Sequence, residues 1–186
     1  KLTLSENSFE EIYKECVIPS PSWMMYRGDF DKIGRFDSDI YPEDYELVFR
    51  MYKHGIKVAS IPETIHRWRD YSTRTSRTDP NYSDNFFLPL KMNYFIELDK
   101  DSARPLVVWG AGKKGKEIAK YLLNKEIKFD WACNNPNKIG HDIYGKLLIS
   151  DIEIFTKENP QILIAIRDRT AEAEIKKVLN SKNLTP

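Results

Sequence analysis

The composition of this 186-residue chain is that of a folded protein, because 41% of its residues are hydrophobic and 31% are charged, which excludes a disordered chain. The 29 basic and 28 acidic residues leave a net charge of +1, so no charge excess points to nucleic acid or to an anionic membrane surface as a partner. No apolar run approaches the roughly 18 residues of a membrane span, and the two cysteines are too far apart for a zinc or disulfide motif, which favours a reducing, cytoplasmic setting.

The first half of the chain mixes helical and extended patterns. In chain order its predicted elements are a short helix, a strand, a helical turn, an amphipathic helix, a strand and a long helix, at 10–16, 22–26, 29–33, 43–54, 56–61 and 84–98. The amphipathic helix has Tyr45, Val48 and Phe49 on one face, and Gly55 ends it. Pro89 predicts a kink or a late start for the last helix.

The second half alternates short apolar runs with helices. The predicted strands are 106–109, 129–133, 147–149 and 162–166, and the predicted helices are 114–124, 151–157 and 170–179, the last two capped by Ser150 or Asp151 and by Thr170. This alternation predicts an α/β domain with a parallel sheet, of the size of one half of a dinucleotide-binding fold. We therefore expect two domains, 1–98 and 106–186, joined by a polar linker at 99–105.

A glycine-rich loop at 110–115, GAGKKG, fits the pattern GxGxxG between a predicted strand and a predicted helix. Such glycines let the backbone approach a phosphate at the helix N-terminus. A dinucleotide site also uses an acidic residue at the end of the second strand, where this chain has Asn134. Two interpretations stay open: Gly110, Gly112 and Gly115, with Asn134, bind a nucleotide, or the glycines only let the helix pack closely on the strand.

Two adjacent carboxylates, Glu43 and Asp44, open the amphipathic helix. Carboxylates at this position are stabilised by the helix dipole, so one interpretation is ordinary capping. The other is that one of them is a general base that takes a proton from an acceptor hydroxyl.

A basic segment at 65–77 concentrates arginines, hydroxyls and His66. Arginines beside hydroxyls suit phosphate recognition, and a histidine can be a metal ligand or an acid–base group. The alternative is a solvated loop in which Arg67 and Arg69 pair with local carboxylates.

Several of these stretches occur in an order that is typical of one enzyme family. They are PSWMMYR at 21–27, IGRFD at 33–37, EDYELVFR at 43–50 and GIKV at 55–58, followed by the basic segment. In this order they resemble the C-terminal portion of a family 2 glycosyltransferase of the GT-A type. The resemblance implies that Asp44 is the base and Glu43 its neighbour. It also implies a set of residues that hold the diphosphate leaving group, His66, Arg67, Trp68, Arg69, Arg74 and Ser76, and His66 falls where some members place a metal-binding group.

The same resemblance implies a reaction and a setting. The full enzyme would move a sugar from a nucleotide diphosphate to a hydroxyl of a glycan or a lipid-linked acceptor, with inversion and with Mg²⁺ or Mn²⁺. Bacterial surface polysaccharide synthesis, in the cytoplasm and peripheral to the inner face of the membrane, is the implied setting. The family's donor-binding half would precede Lys1, and the chain does not begin with Met, so we expect a C-terminal fragment that is inactive alone and that self-associates through exposed apolar surface.

The second half resembles small Rossmann-like domains appended to some bacterial sugar-modifying and methyl-transferring enzymes. The matching stretches are VWGAGKKG at 108–115 and NNPNKIG at 134–140. Relatives usually begin the second stretch with aspartate, which Asn134 replaces here. The glycine loop nevertheless offers an alternative function for the chain, that of a nucleotide-binding or docking module.

Overall fold

The computed structural model describes residues 9–37, 39–61, 63–64, 66–67, 69–78, 82 and 87–184, without the side chains of residues 75 and 76. The chain divides into two compact units, an N-terminal unit of Lys1–Leu98 and a C-terminal unit of Asp99–Pro186. Among the described residues, no helix is both long and apolar enough to cross a membrane.

The described part of the N-terminal unit is built from helices and turns. A 3₁₀ turn at Ser20–Ser22 precedes four helices: α1 at Arg27–Lys32, α2 at Glu43–Lys53, α3 at Thr75–Thr78 and α4 at Leu88–Tyr94. A π-helical turn at Phe95–Asp99 continues α4. The late start of α4 agrees with the position of Pro89, which is tolerated only in the first turn of a helix.

Helix α2 is the centre of this unit. Every residue of 45–49 is buried, and α2 packs against Ile12, Val17, Ile18 and Ile33. At its C-terminus the Ile56 amide donates to Met51 and the Gly55 amide donates to Tyr52, which is the Schellman arrangement. Gly55 has φ +62°, so the predicted glycine stop is confirmed.

Three predictions for this unit are wrong. Residues 10–16 form turns and not a helix, and residues 23–26 and 56–61 lie in no strand. The strand-like alternation is nevertheless real, because Trp23, Met25, Ile56 and Val58 all pack against the core. A strand also needs a hydrogen-bonded neighbour, and among the described residues the unit contains no strand to supply one.

The C-terminal unit contains a five-stranded sheet with the order β3-β4-β2-β1-β5. Its strands are β1 at Leu106–Trp109, β2 at Asp130–Cys133, β3 at Asp142–Ile143, β4 at Lys146–Ser150 and β5 at Gln161–Ile164. Only the pairing of β3 with β4 is antiparallel. The chain adds strands on one side of β1 and then crosses to the other side for β5, so the order reverses at β1. The predicted Rossmann-like α/β architecture is confirmed at this coarse level.

Helices pack on this sheet from the connections between the strands. Helix α5, at Lys113–Asn124, packs against β1, and its buried stripe is Ile118, Ala119 and Leu122. A 3₁₀ helix at Asp151–Thr156 follows β4, and α6 occupies Arg169–Ser181. Ser150 caps the 3₁₀ helix, as predicted. The predicted cap of α6 is wrong: Asp168, and not Thr170, accepts a hydrogen bond from the Ala171 amide, because α6 begins at Arg169 and Thr170 already lies inside it.

Candidate functional site

The carboxylate pair lies at the N-terminus of α2, as the sequence predicts. The Asp44 side chain is half-buried, and Glu43 is exposed. The Ser20 hydroxyl donates a hydrogen bond to Asp44 Oδ2 over 3.1 Å, and the Tyr45 amide donates to Oδ1 over 2.8 Å. The Asp44 carboxylate is therefore held in place from two sides, by a side chain from another segment and by its own helix.

Aromatic rings surround the start of α2. Tyr41, Tyr82 and Phe87 contact one another with ring centroids 5.6–6.4 Å apart. The hydrogen bond to Tyr41, partial burial and the nearby carboxylates of Asp44 and Glu43 together raise the pKa of the Tyr82 phenol. Tyr82 contacts Tyr41, which precedes Glu43 by two residues, so both rings lie at the end of α2 that carries the carboxylates.

A buried charged network lies one turn further along α2. Glu46 is only 2% exposed, and its carboxylate lies 2.7 Å from the Arg50 guanidinium. The Tyr94 hydroxyl donates to Glu46 over 2.6 Å, and Arg50 also donates to the Ile33 carbonyl. This network ties α4 and the end of α1 to α2, and so fixes the helix that carries Asp44. The network was not predicted from the sequence, although the spacing of four residues between Glu46 and Arg50 is typical of an ion pair on a helix.

The arginines of the basic segment fall into two groups. Arg77 donates to Asp70 over 2.5 Å, and Arg74 lies 3.5 Å from the same carboxylate. Arg67 and Arg69 are exposed. The structure therefore brings Arg74 and Arg77 together at Asp70, and it leaves Arg67 and Arg69, for which pairing with carboxylates was the alternative to phosphate binding, exposed. Trp68 and the side chain of Ser76 lie outside the described part of the chain.

His66 was predicted as a candidate for a metal ligand. His66 is exposed, and no group of three or more histidine, cysteine, aspartate or glutamate side chains that could hold a metal lies within the described residues. A metal site of the usual oxygen-ligand kind would need several such groups.

The glycine loop connects β1 to α5 at the C-terminal end of β1. Gly110 has φ +128°, and a β-carbon there would lie 2.8 Å from the carbonyl oxygen of Ala165. A β-carbon at Gly115 would lie 1.9 Å from the carbonyl oxygen of Gly110. These two glycines are therefore required by the packing of the loop against β5 and against its own helix.

Gly112 is different from the other two glycines of the loop. Its φ of −83° is open to any residue, and a β-carbon there would meet no atom within 4 Å. Neither backbone conformation nor packing within the chain requires glycine at this position. In dinucleotide-binding loops the glycine at the corresponding position, the second of the motif, lets the backbone approach a pyrophosphate.

Side chains from β2 and from the turn after it hold the loop in place. The Trp131 indole donates to the Gly110 carbonyl over 2.9 Å, and Lys138 Nζ donates to the Ala111 carbonyl over 3.0 Å. Asn134, the predicted ribose contact, is exposed at the end of β2. Loops after β1, β2 and β5 meet at this edge of the sheet, where the strand order reverses, and ligands of open α/β sheets bind at such a point.

The charge at the start of α5 suits an anion. Its cap residue is Gly112, whose lack of a side chain leaves the first helical amides uncapped, and no acidic residue stands in the first turn. By contrast, Asp168 caps α6 and Glu172 lies in its first turn. The helix dipole and Lys113, Lys114 and Lys116 all favour negative charge at this end.

Comparison with models of known families, with characterised proteins and with solved structures finds no significant match. The chain therefore offers two candidate sites on the strength of its own residues. One is the start of α2, with Glu43, Asp44 and the rings beside them; the other is the glycine loop, with Gly112 at its tip.

Proposed function

We propose that the N-terminal unit is the acceptor-side part of a glycosyltransferase and that Asp44 is its general base. In the proposed reaction Asp44 takes the proton of the acceptor hydroxyl, the hydroxyl oxygen forms a bond to the anomeric carbon, and the bond from that carbon to the nucleoside diphosphate breaks. The diphosphate leaves with the bonding electron pair, and the configuration at the anomeric carbon inverts.

The observation that carries this proposal is the position of the Asp44 carboxylate. It is held by the Ser20 hydroxyl and by the Tyr45 amide, which fix its orientation, and it is still partly open to solvent. A general base needs this combination of orientation and access. Glu43, its neighbour, is exposed and can take part in binding the acceptor.

The exposed apolar surface of two extended segments supports the idea that this unit is part of a larger domain. Residues 23–26 and 56–61 have the alternation of strands and pack on the core, and Met24 is 95% exposed on the outward side. An apolar side chain as exposed as Met24 is expected where another part of the domain covers it. The proposal assigns that part to the donor-binding half, with Mg²⁺ or Mn²⁺ as the metal that holds the diphosphate.

The test of the leaving-group contacts uses the longer chain that contains the proposed donor-binding half. Release of nucleoside diphosphate is measured with a panel of nucleotide sugars. We expect Arg67→Ala and Arg69→Ala each to lower kcat/KM by at least about tenfold, because both guanidinium groups are exposed and available for phosphate. Arg77→Ala is the matched control, since its guanidinium is already bound to Asp70. No release from any donor, or equal losses in all three variants, would contradict the proposal.

A second candidate function is nucleotide or phosphate binding by the C-terminal unit. Gly112 supports it, because ligand approach is the remaining reason for a glycine at a position that the chain itself leaves open. Asn134 fits a ribose less well than an acidic residue does, but its amide can still hydrogen-bond a hydroxyl. The residues that would hold the ligand are Gly112, the amides of the first turn of α5, and Asn134.

Thermal unfolding tests this second candidate directly. A ligand that binds only the native state raises the melting temperature. NADH, ATP and inorganic phosphate are compared at millimolar concentration, and we expect at least one nucleotide to raise the melting temperature of the C-terminal unit. A chain whose melting temperature none of them changes has no nucleotide site at the glycine loop.

A further inference from the structure

Two tyrosine rings beside the carboxylates remain exposed. Tyr41 is 49% exposed and Tyr82 is 41% exposed, and the two rings contact each other edge-on with their centroids 6.4 Å apart. We call Tyr41 and Tyr82 the phenol pair. A buried tyrosine adds apolar contacts to a core, whereas a pair left half in water offers its ring faces to something else.

The phenol pair packs against aromatic residues that lead into the core. Phe87 contacts both rings, and it also packs edge-on against Tyr45 at 6.0 Å. Tyr45 is buried and stacks on Phe49 in the core of α2. A ligand that binds the phenol pair therefore meets rings that are already ordered, which lowers the entropy cost of binding.

The groups around the pair are acceptors of hydrogen bonds. Glu43 is exposed, Asp44 is half-buried, and both carboxylates act on Tyr82 electrostatically. A pyranose has an apolar face of C–H groups that stacks on an aromatic ring, and a rim of hydroxyls that donate to carboxylates. The phenol pair supplies the first kind of contact and the two carboxylates supply the second.

We propose that Tyr41 and Tyr82, with Glu43 and Asp44 beside them, bind a sugar ring, and that this ring belongs to the acceptor. The assignment to the acceptor rests on the proposed function; the assignment of a sugar rests on the rings and carboxylates alone. Stacking on the phenol pair brings a hydroxyl of the ring to Asp44, so the pair is a positioning surface and Asp44 the group that takes the proton.

Saturation-transfer NMR on the 186-residue chain tests the proposal. The probes are the methyl glycosides of glucose, galactose, mannose and N-acetylglucosamine. Tetramethylammonium is included because exposed aromatic rings can also bind a quaternary ammonium cation. We expect saturation of the ring protons of at least one glycoside, and a Kd that rises by about three- to tenfold in Tyr41→Ala and in Tyr82→Ala. Tyr82→Phe keeps the ring, so its Kd should rise less than that of Tyr82→Ala.

A control variant shows whether the loss of binding is specific to the phenol pair, and a measurement on the unaltered chain applies if a variant does not fold. Tyr71→Ala removes another exposed tyrosine of the same unit and should leave the Kd unchanged. If an alanine variant does not fold, the ring resonances of Tyr41 and Tyr82 in the unaltered chain are followed during glycoside titration, and we expect both to shift. The assignment of a sugar is overturned if no glycoside binds, or if only tetramethylammonium binds. It is also overturned if Tyr71→Ala weakens glycoside binding as much as Tyr41→Ala and Tyr82→Ala do.

The outcomes also separate this inference from the proposed function. If a glycoside binds at the phenol pair but sugar transfer by the longer chain does not depend on Asp44, the proposed function fails and the sugar site stands. If transfer depends on Asp44 but no glycoside binds, the sugar site fails and the proposed function stands.

Discussion

The α-carbon of Gly115 packs against the carbonyl oxygen of Gly110, so closely that a β-carbon at Gly115 would lie 1.9 Å from that oxygen. The helix that follows the loop can therefore begin only where it does if residue 115 is glycine. Gly112, three residues earlier, has no such neighbour. This difference separates the glycines that the packing requires from Gly112, for which we propose contact with a ligand.

The first prediction uses this difference. Gly115→Ala should strongly destabilise or unfold the C-terminal unit, because backbone must move to admit the new atom. Gly112→Asp should keep or raise the melting temperature, because an aspartate caps α5 and interacts well with its dipole. The same aspartate should abolish any rise caused by a nucleotide or phosphate. A Gly112→Asp chain that still responds to the ligand would place the ligand elsewhere.

The second prediction concerns the buried network of α2. Tyr94→Phe removes the hydrogen bond to Glu46 and should lower the free energy of unfolding by about 1–3 kcal/mol. Tyr26→Phe is the control, because Tyr26 is exposed, and it should change the free energy of unfolding little. Urea unfolding of both variants provides the measurement, and equal stabilities would show that the Tyr94 hydroxyl contributes nothing.

The third prediction concerns alkaline pH and Cys16. Burial, followed by the charge of Asp44, raises the pKa of the Cys16 thiol from 9.0 to about 12. Above pH 9 the unfolded chain loses this proton before the folded chain does, so the unfolded state is favoured as the pH rises. The stability contributed by the neutral thiol is thus fully present below pH 9 and is lost towards pH 12. Cys16→Ala should flatten the fall in unfolding free energy between pH 8 and pH 10, and an unchanged slope would contradict this origin.

The fourth prediction separates two caps of α6. Asp168→Ala should lower the free energy of unfolding by about 1 kcal/mol, because the Ala171 amide loses its acceptor at 2.8 Å. Thr170→Ala should change the free energy of unfolding by less than about 0.5 kcal/mol, since Thr170 is an exposed residue inside the helix. Denaturant unfolding followed by circular dichroism compares the two variants. A larger loss for Thr170→Ala would restore the cap expected from the sequence.

The sheet could be predicted from the sequence because its strands carry their own signal. Runs such as 106–109 are buried on both faces, and continuous apolar residues between turns are typical of parallel strands. The strand β3 was missed because two residues, Asp142 and Ile143, are too short for any periodicity.

The N-terminal unit was harder to predict because the sequence of one segment does not show whether another segment pairs with it as a strand. The alternation of Trp23 and Met25 correctly predicted which side chains face the core, but alternation does not say whether a neighbouring strand exists. Glu46 was missed as a core residue because a carboxylate is rarely buried without a partner, and its partners come from α2 itself and from the distant Tyr94.

The site at the start of α2 was predicted only in part. Glu43 and Asp44 could be found because adjacent carboxylates before an apolar run mark a helix N-terminus. The phenol pair could not, because Tyr41 and Tyr82 are far apart in the chain and meet only through the fold.

Sugar transfer by Asp44→Asn tests the central proposal most directly. In the proposed longer chain with a donor-binding half, we expect this variant to lose at least about 100-fold in kcat, because the amide cannot take the acceptor proton. Glu10→Gln, which neutralises an exposed carboxylate of the same unit, should keep full activity. An Asp44→Asn enzyme that transfers sugar at the rate of the unaltered enzyme would contradict the assignment of Asp44 as the base.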